Sequence, residues 1–344
     1  MRTIGWDGGA IEMVDQTKLP ASFERVRVES VDELLESIDV LRVRGAPALG
    51  AAGAYGVALS TRLHDGPDPS LLLEAVEQDA EAIASVRPTA VNLQRGVEEA
   101  LAAARQGETV STIRDQALAA AEELADRDVE RNRAIGEHGA ELLGEDATVM
   151  THCNAGALAT VDWGTALGVV YSAREAGKSI DVIANETRPL NQGSRITTVE
   201  LMERSVPVTL IPDNASGRLL QEGGVDAVVV GADRIVLDGG STFGDQGVVY
   251  NKIGTYKHAV LADRHDVPFI VAAPHATVDT ERSADEVKIE ERSAIELREI
   301  YGTQNAPAGV PVRNPAFDPT PMELVDFLVT ESGVYERPLD PADF

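Results

Sequence analysis

Five short runs of β-branched or other apolar residues alternate with helical segments after Gly144. Such alternation is typical of parallel strands joined by crossover helices that cover both faces of one sheet. The pattern therefore predicts an α/β fold, with the sheet inside a C-terminal domain over residues 144–344. In chain order the runs are ATVMTH, IDVIAN, VTLIPD, AVVVGAD and FIVAAPH.

The first 143 residues have a different pattern. TIGW, AIEMV and RVRVE predict a small antiparallel start, and Ala-, Leu- and Glu-rich segments of helical spacing follow. We therefore expect a mainly helical N-terminal domain over residues 1–143, whose last part, around 109–143, is a long connecting helix. The run GAPALGAAGAYGVAL predicts a closely packed, buried helix. Near the C-terminus, TPMELVDFLVTESGV predicts a helix capped by Thr320.

The chain is strongly acidic, with a formal net charge of -27. Nucleic acid and anionic membranes are therefore poor partners, because phosphate groups need clustered Lys and Arg. Only five of the 30 basic residues are lysines, and the acidic excess runs along the whole chain. This pattern favours the hypothesis of a protein from a salt-rich cytoplasm.

The chain has one cysteine, Cys153, so it cannot form an internal disulfide. A lone thiol fits a reducing compartment, and MRTIGWDGGA has no apolar signal core, which together predict a cytoplasmic protein. The six histidines form no HExxH motif, and one cysteine excludes a cysteine-rich zinc site, so no metal site is expected.

Polar residues follow each of the five apolar runs. Ligands of open parallel sheets bind beyond the carboxyl ends of the strands, so these residues are expected to gather at one edge. They are HCNAG (152–156), NETRP (185–189), DNAS (213–216), ADR (232–234) and PHAT (274–277).

Cys153 stands between a predicted strand and a helix expected to begin near Asp162, with His152 beside it. A helix N-terminus and nearby cations favour the thiolate, which makes Cys153 a candidate acid or base. The alternative is a small buried hydrophobic residue.

Asp233 follows AVVVGA, an apolar run whose end is expected to be sheltered. Shelter raises the pKa of a carboxyl group and suits it to proton donation. The alternative, of equal weight from the residues alone, is an aspartate that caps a turn or pairs with Arg234.

Cations beside turns are candidate phosphate ligands in a chain so poor in positive charge. In RVRGAPALG the guanidinium of Arg44 and the backbone N–H groups of Gly45 and Ala46 could face one anion, and Arg87 and Lys252 are further candidates. Each of these cations, taken singly, could instead form a surface ion pair. Neither GxxxxGK[ST] nor GxGxxG follows a strand, so the usual nucleotide-binding loops are absent.

Several long motifs of the chain resemble the methylthioribose-1-phosphate isomerase family. That family lies within the superfamily of ribose-1,5-bisphosphate isomerases and regulatory subunits of translation initiation factor 2B. The resemblance extends over nearly the whole chain and rests on RTIGW, DQTKLP, RGAPALG, RPTAVNL, THCNAGALAT, NETRPLNQGSR, GADRI, NKIGTY and GVPVRNPAFDPTP.

The resemblance implies an aldose–ketose isomerase of sugar 1-phosphates without a cofactor, with a Rossmann-like C-terminal domain and a homodimeric assembly. By motif position it makes Cys153 and Asp233 the catalytic pair. The residues that match positions holding phosphate and sugar are Arg44, Arg87, Gln192, Asn251 and Lys252.

Two segments depart from the family pattern. Asn185 stands where the pattern has aspartate, and VLDGGSTFGDQGVVY (236–250) is longer than the usual connection. These departures leave open a related isomerase acting on ribose 1,5-bisphosphate or 5-deoxyribose 1-phosphate. A noncatalytic initiation factor 2B-like subunit that senses a sugar phosphate or nucleotide is a further alternative.

Overall fold

A computed structural model describes residues 1–88, 90–237, 241–280, 282–339 and 341–344. It contains two compact units. The first comprises Met1–Arg133 with Ala155–Gly164, and the second comprises Ala134–Asn154 with Thr165–Phe344. The division into domains at residues 143 and 144 stays a prediction. Residues 238–240 of the long 236–250 connection lie outside the described residues.

The first unit starts with the expected antiparallel sheet and continues with helices. Gly8 and Gly9, both with positive φ, form the two-residue turn between its first two strands, as a tight hairpin of this handedness requires. Residues 134–140 of its last helix belong to the second unit. The elements are β1 (Ile4–Asp7), β2 (Ala10–Val14), β3 (Arg25–Val28), α1 (Val31–Asp39), α2 (Ala46–Leu63), α3 (Pro69–Ser85), α4 (Val91–Ala104) and α5 (Val110–Ala140).

Helix α2 is the predicted buried helix, and it packs against α4 with almost no space between the backbones. A Cβ on Gly96 of α4 would lie 1.9 Å from the carbonyl oxygen of Gly50 in α2. Glycine is therefore required where the helices cross, because any side chain would separate them. The long helix expected around 109–143 is confirmed as α5.

The second unit contains the remaining strands and helices. They are β4 (Asp146–Thr151), α6 (Ala166–Glu175), β5 (Ser179–Asn185), α7 (Thr198–Glu203), β6 (Val208–Ile211), α8 (Ser216–Glu222), β7 (Ala227–Val230), β8 (Arg234–Val236), β9 (Val248–Lys252), α9 (Thr255–Arg264), β10 (Phe269–Ala272), β11 (Val278–Asp279), α10 (Ile295–Arg298), β12 (Glu299–Ile300), β13 (Thr303–Gln304), β14 (Phe317–Pro321), β15 (Phe327–Thr330) and β16 (Gly333–Glu336).

The main sheet of the second unit has the order β16-β15-β10-β7-β4-β5-β6, and only β16 runs antiparallel to its neighbour. The six parallel strands follow the doubly wound order, in which the chain moves outward from β4 to β6 and then outward again from β7 to β15. All five predicted apolar runs form strands of this sheet, which confirms the α/β fold class. A smaller sheet has the order β11-β8-β9-β14.

The prediction of a helix after Thr320 is wrong. Thr320 lies in β14, and the following residues form β15 and β16 after a short 3₁₀ turn. Strand β15 pairs with β10, opposite Ile270, Val271 and Ala272, and buries Leu328 and Val329 completely. The apolar run is short enough to fit a helix or a strand, and sheet pairing decides between them.

Among the described residues, no helix is both long enough and apolar enough to cross a membrane.

Candidate active site

Cys153 lies two residues beyond the end of β4 and is partly exposed. Its φ of 64° places it in the left-handed region, which costs a non-glycine residue on the order of 1–3 kcal/mol. Its backbone N–H donates to Thr187 Oγ1 at 2.8 Å, and its carbonyl oxygen accepts from Thr197 Oγ1 at 2.5 Å. The surrounding structure therefore holds the backbone from which the thiol projects.

The helix that we expected to begin near Asp162 begins instead at Ala166. Residues 155–164, which belong to the first unit, contain only a short 3₁₀ turn at Ala157–Ala159. The expectation of a helix N-terminus close behind the thiol is therefore wrong. A peptide dipole effect falls off within one helical turn, so α6 does not supply it.

His152, next to the thiol, is buried and uncharged. Burial lowers its pKa to about 4, although the Ile253 carbonyl and Asp213 oppose the shift. Its Nε2 lies 2.8 Å from the Ile253 carbonyl oxygen, which can only accept, so Nε2 carries the proton. The ring of His258 lies 4.6 Å away, and burial also lowers the pKa of His258. His152 therefore supplies no positive charge beside the thiol.

Asp233 lies three residues beyond the end of β7, and its side chain is exposed. The expectation of a sheltered carboxyl group is therefore wrong, and the argument from burial for proton donation does not apply. The apolar run that precedes Asp233 is buried, but the chain leaves the sheet at Gly231 and Ala232. Arg234 pairs with Asp279, at 2.5 Å, across β8 and β11.

The backbone of Asp233 is held by the smaller sheet. Its N–H donates to the Tyr250 carbonyl oxygen at 2.9 Å, and the antiparallel pairing of β8 with β9 begins at Arg234 opposite Tyr250. Continuing that register by one residue places Asp233 opposite Asn251. The sheet therefore brings a predicted catalytic residue beside two predicted sugar ligands, Asn251 and Lys252.

Asn251 and Lys252 end strand β9. Asn251 is buried and donates from Nδ2 to Thr255 Oγ1 at 3.0 Å. Lys252 is partly exposed, and its ammonium group donates to the Ala316 carbonyl oxygen at 3.1 Å and lies 4.6 Å from the centre of the Phe317 ring. The strand end thus presents an amide and a cation at fixed positions.

Gln192 follows β5 and precedes a π-helical turn at Gly193–Thr197. It is buried, and its Oε1 has no hydrogen-bond partner among the described residues. A buried amide oxygen without a partner costs free energy, which makes Gln192 Oε1 a candidate acceptor for a bound hydroxyl group. Gln192 and Lys252 line the same small depression.

The other predicted ligands belong to the first unit. Arg44 is partly exposed and donates from Nε to Gln16 Oε1 at 3.2 Å, and Gln16 donates from Nε2 to the Leu158 carbonyl oxygen at 2.7 Å. Gly45 precedes α2 with a φ of 92°, and no side chain caps this helix end. A Cβ at Gly45 would lie 2.0 Å from the Ala159 carbonyl oxygen, so only glycine fits.

Ala46 is exposed as the first residue of α2, where backbone N–H groups are left without helical partners. Arg87, in the connection between α3 and α4, is partly exposed. The first unit therefore gathers Arg44, Gly45, Ala46 and Gln16 around one helix start. Gln16 was not singled out from the sequence, although it lies in the DQTKLP motif.

The second unit gathers Cys153, Asp233, Gln192, Asn251 and Lys252 at the carboxyl ends of its strands. Cys153 and Asp233 follow β4 and β7, the adjacent strands between which the sheet order reverses. Hydrogen bonds connect the two strand ends: Thr151 Oγ1 donates to the Val229 carbonyl oxygen at 2.8 Å. Ligands of doubly wound sheets bind at this reversal point.

This arrangement defines the second unit as a Rossmann-type domain with polar groups gathered at the sheet reversal. The chain belongs to the initiation factor 2 subunit family, whose model matches residues 42–337. A relative from Archaeoglobus fulgidus, named "Putative methylthioribose-1-phosphate isomerase", is 55% identical over 340 residues, covering 99% of this chain and 97% of that protein.

Two solved structures are similar along almost the whole chain. 5-methylthioribose 1-phosphate isomerase from Pyrococcus horikoshii has a TM-score of 0.92 at 38% identity, covering 98% of this chain and 93% of its own. A chain named translation initiation factor eIF-2B, subunit delta, from A. fulgidus has a TM-score of 0.92 at 55% identity, covering 98% and 96%. Similarity of fold thus extends to proteins named as an enzyme and as a translation factor.

Proposed function

We propose that the protein is a cofactor-independent isomerase that converts 5-methylthioribose 1-phosphate, an aldose 1-phosphate, into 5-methylthioribulose 1-phosphate. The observation that carries this proposal is the position of Cys153 and Asp233 at the ends of β4 and β7, where the sheet order reverses. The relative from A. fulgidus and the P. horikoshii structure carry the same name for their activity, which supports the proposal.

The reaction needs two groups that handle protons. A sugar phosphorylated at C1 has no free aldehyde, so its ring opens only when an acid protonates the ring oxygen. Hydrogen must then move from C2 to C1, through an enolate or as a hydride. The C2 hydroxyl loses its proton as it becomes the ketone, which balances the proton that the acid gave to the ring oxygen. We assign the ring-opening step to Asp233 and the step near C2 to Cys153.

Asp233 is exposed in the chain without substrate, so its assigned role requires the bound sugar to cover the carboxyl group. Removal of a carboxyl group from water raises its pKa, so substrate binding is the step that would prepare Asp233 for proton donation. The pH profile of the reaction should therefore differ between free enzyme and enzyme–substrate complex, as kcat/KM and kcat report these separately.

Each unit has its own group of proposed ligand-binding residues. We propose that Gln192, Asn251 and Lys252 bind the sugar and phosphate oxygens, because the amide of Gln192 has an unsatisfied oxygen and Lys252 supplies positive charge. In the first unit, the Arg44 guanidinium and the N–H groups of Gly45 and Ala46 suit a phosphate. Arg87 is assigned by its motif position.

Comparison of sugars that differ only at C5 tests the proposal. Purified protein should turn over 5-methylthioribose 1-phosphate with a kcat/KM at least about tenfold above those for 5-deoxyribose 1-phosphate and ribose 1,5-bisphosphate, since small apolar substituents give discrimination of that order. A reversed order would transfer the assignment to one of these related isomerases. No turnover of any of the three sugars would overturn it.

A noncatalytic role in translation is the second candidate, and the name of the similar A. fulgidus structure, a subunit of eIF-2B, favours it. It predicts binding of initiation factor 2 by a protein without isomerase activity. The presence of both a thiol and a carboxylate at the sheet reversal favours the enzyme.

We also propose a cytoplasmic, homodimeric protein that acts in methionine salvage in a salt-rich cell. The net charge of -27 supports the last point, because salt screens the repulsion between acidic groups. Circular dichroism in low salt should then show loss of the fold, and sedimentation should give twice the chain mass of 36.6 kDa.

A further inference from the structure

Two buried threonine hydroxyls bind the backbone of Cys153, one at its N–H and the other at its carbonyl oxygen. Thr187 Oγ1 accepts the Cys153 N–H at 2.8 Å, and Thr197 Oγ1 donates to the Cys153 carbonyl oxygen at 2.5 Å. Neither threonine is exposed to solvent. Both polar groups of the cysteine backbone are thus bound by side chains from another part of the sheet edge.

The protons of the two hydroxyls are consistent with these roles. The Thr187 hydroxyl donates to the Asn185 carbonyl oxygen at 3.0 Å, which leaves a lone pair for the Cys153 N–H. The Thr197 hydroxyl donates to Cys153 and accepts from Asn154 Nδ2 at 3.2 Å. Each oxygen therefore uses one proton and at least one lone pair, as a hydroxyl can.

Thr187 is itself held in an unfavourable conformation. Its φ is 65°, which is a genuine outlier for a β-branched residue. The carboxylate of Asp213, at the end of β6, accepts the N–H groups of Thr187 at 2.8 Å and of Arg188 at 2.7 Å. Strain of this kind persists only where the surroundings enforce it, and it concentrates at functional sites.

We propose that Thr187 and Thr197 are positioning residues that hold Cys153 in its left-handed conformation and so aim its thiol at the substrate. The inference rests on the proposed catalytic role of Cys153 and deepens it. The two residues, called here the threonine clamp, do not touch the reacting atoms. Their effect is on the direction of the thiol, so they act on kcat rather than on substrate affinity.

Variants that remove only a hydroxyl test the threonine clamp. Thr187→Val and Thr197→Val keep the branched shape, while Thr187→Ser and Thr197→Ser keep the hydroxyl. Thr330→Val is the matched control, because Thr330 is a buried threonine of the same sheet whose Oγ1 also accepts a backbone N–H, that of Ser332, at 3.0 Å.

The kinetic readout is the separation of kcat from KM. We expect each valine variant to lower kcat at least tenfold with KM changed less than threefold. Each serine variant should retain at least a third of the wild-type kcat, and Thr330→Val should retain all of it within a factor of two. A valine variant with the wild-type kcat, or equal losses in the serine and valine variants, would overturn the proposal.

A second readout needs no enzyme activity. Because Cys153 is the only cysteine, labelling with [1-¹³C,¹⁵N]cysteine gives one amide and one carbonyl resonance for the whole chain. Thr187→Val should accelerate hydrogen exchange of that amide at least tenfold, and Thr197→Val should move the carbonyl resonance upfield. Thr187→Ser and Thr197→Ser should change neither. Unchanged exchange in Thr187→Val contradicts the threonine clamp.

The two readouts separate this inference from the proposed function. A wild-type protein without isomerase activity overturns the proposed function, while the resonances still decide whether the threonine clamp exists. An active wild type whose valine variants are fully active retains the proposed function and overturns the clamp. If one valine variant does not fold, the other tests the remaining half.

Discussion

The two strand ends that carry the proposed catalytic groups are built differently. The end of β4 is buried: His152 is 2% exposed. The partly exposed Cys153 is held in a left-handed conformation by hydrogen bonds between its backbone and the hydroxyls of Thr187, beyond β5, and Thr197, in the π-helical turn. The end of β7 leads to an exposed Asp233, whose backbone is held by a sheet hydrogen bond to Tyr250.

The two strand ends thus illustrate two ways of holding a reactive group in position. A thiol lies one bond beyond Cβ, so the backbone conformation of its residue, and the groups that enforce that conformation, limit the positions that the sulfur can reach. A carboxyl group at the edge of a β-ladder inherits its place from backbone pairing, which depends little on the identity of nearby side chains. Substitutions around Cys153 should therefore be costly, and those around Asp233 should be tolerated.

Removal of the thiol or of the carboxyl group should have the largest effect on kcat. At this level the two strand ends should behave alike, because each supplies one proton-handling group. We expect Cys153→Ala and Asp233→Asn each to lower kcat by about 10²–10⁴-fold, the usual contribution of a positioned acid or base. Steady-state kinetics of folded variants is the measurement. Asp181→Asn, at an exposed position on β5, is the control and should leave kcat unchanged. Folded variants at full rate would reject the assigned roles.

Acidification should lower the free energy of unfolding through His152, at the buried strand end. Burial lowers the pKa of His152 from 6.5 to about 4, so the unfolded chain takes up a proton on this residue before the folded chain does. Neutral His152 therefore makes its full contribution to the free energy of unfolding above pH 6.5. This contribution is lost as the pH falls towards 4, and the total loss is about 3 kcal/mol. Urea unfolding of the wild type and of His152→Gln between pH 7 and 4 measures it.

The stability of the wild type must be compared with that of His152→Gln at each pH, because acidification changes the contribution of Asp318 in the opposite direction. Burial raises its pKa to about 6, so its ionised form opposes folding above that pH and its contribution improves on acidification. We expect the wild type to lose more stability than His152→Gln as the pH falls. Parallel pH profiles would show that His152 is not the group responsible.

The smallest effect is expected beside Asp233. Arg234→Gln removes the ion pair with Asp279, whose side chains are 26% and 20% exposed, and should lower the free energy of unfolding by about 1 kcal/mol. We expect kcat to stay within threefold of the wild type, because the pairing of β8 with β9 still places Asp233. A fall of thirtyfold or more would show that the exposed strand end also depends on its neighbouring side chains.

Much of the fold could be predicted from local patterns, and the errors share one cause. The apolar run around Leu328 fits both a helix and a strand, and pairing with β10 made it a strand. Asp233 follows a buried run, yet its exposure depends on where the chain goes after leaving the sheet. In both cases, contacts distant in sequence decided the outcome.

In the candidate site, too, contacts between residues distant in sequence could not be predicted. The sequence identified Cys153, Asp233, Gln192, Asn251 and Lys252 through the polar strand ends and through resemblance. NETRP, which contains Thr187, was recognised only as a polar strand end. No local pattern indicated that Thr187 and Thr197 bind the Cys153 backbone, because their hydroxyls lie 34 and 44 positions away from it in the sequence. The lowered pKa of His152 was likewise missed, since it arises from burial by several elements.

The sequence by itself determined the antiparallel start, the helical character of the first 140 residues, the five parallel strands β4, β5, β6, β7 and β10, and the polar residues at their ends. Hydrophobic periodicity and turn residues act over a few positions, so they can be read locally. Only the tertiary structure decided the order of the strands, the left-handed backbone at Cys153 and the exposure of Asp233. These depend on pairings between distant segments, whose free energies no single segment contains.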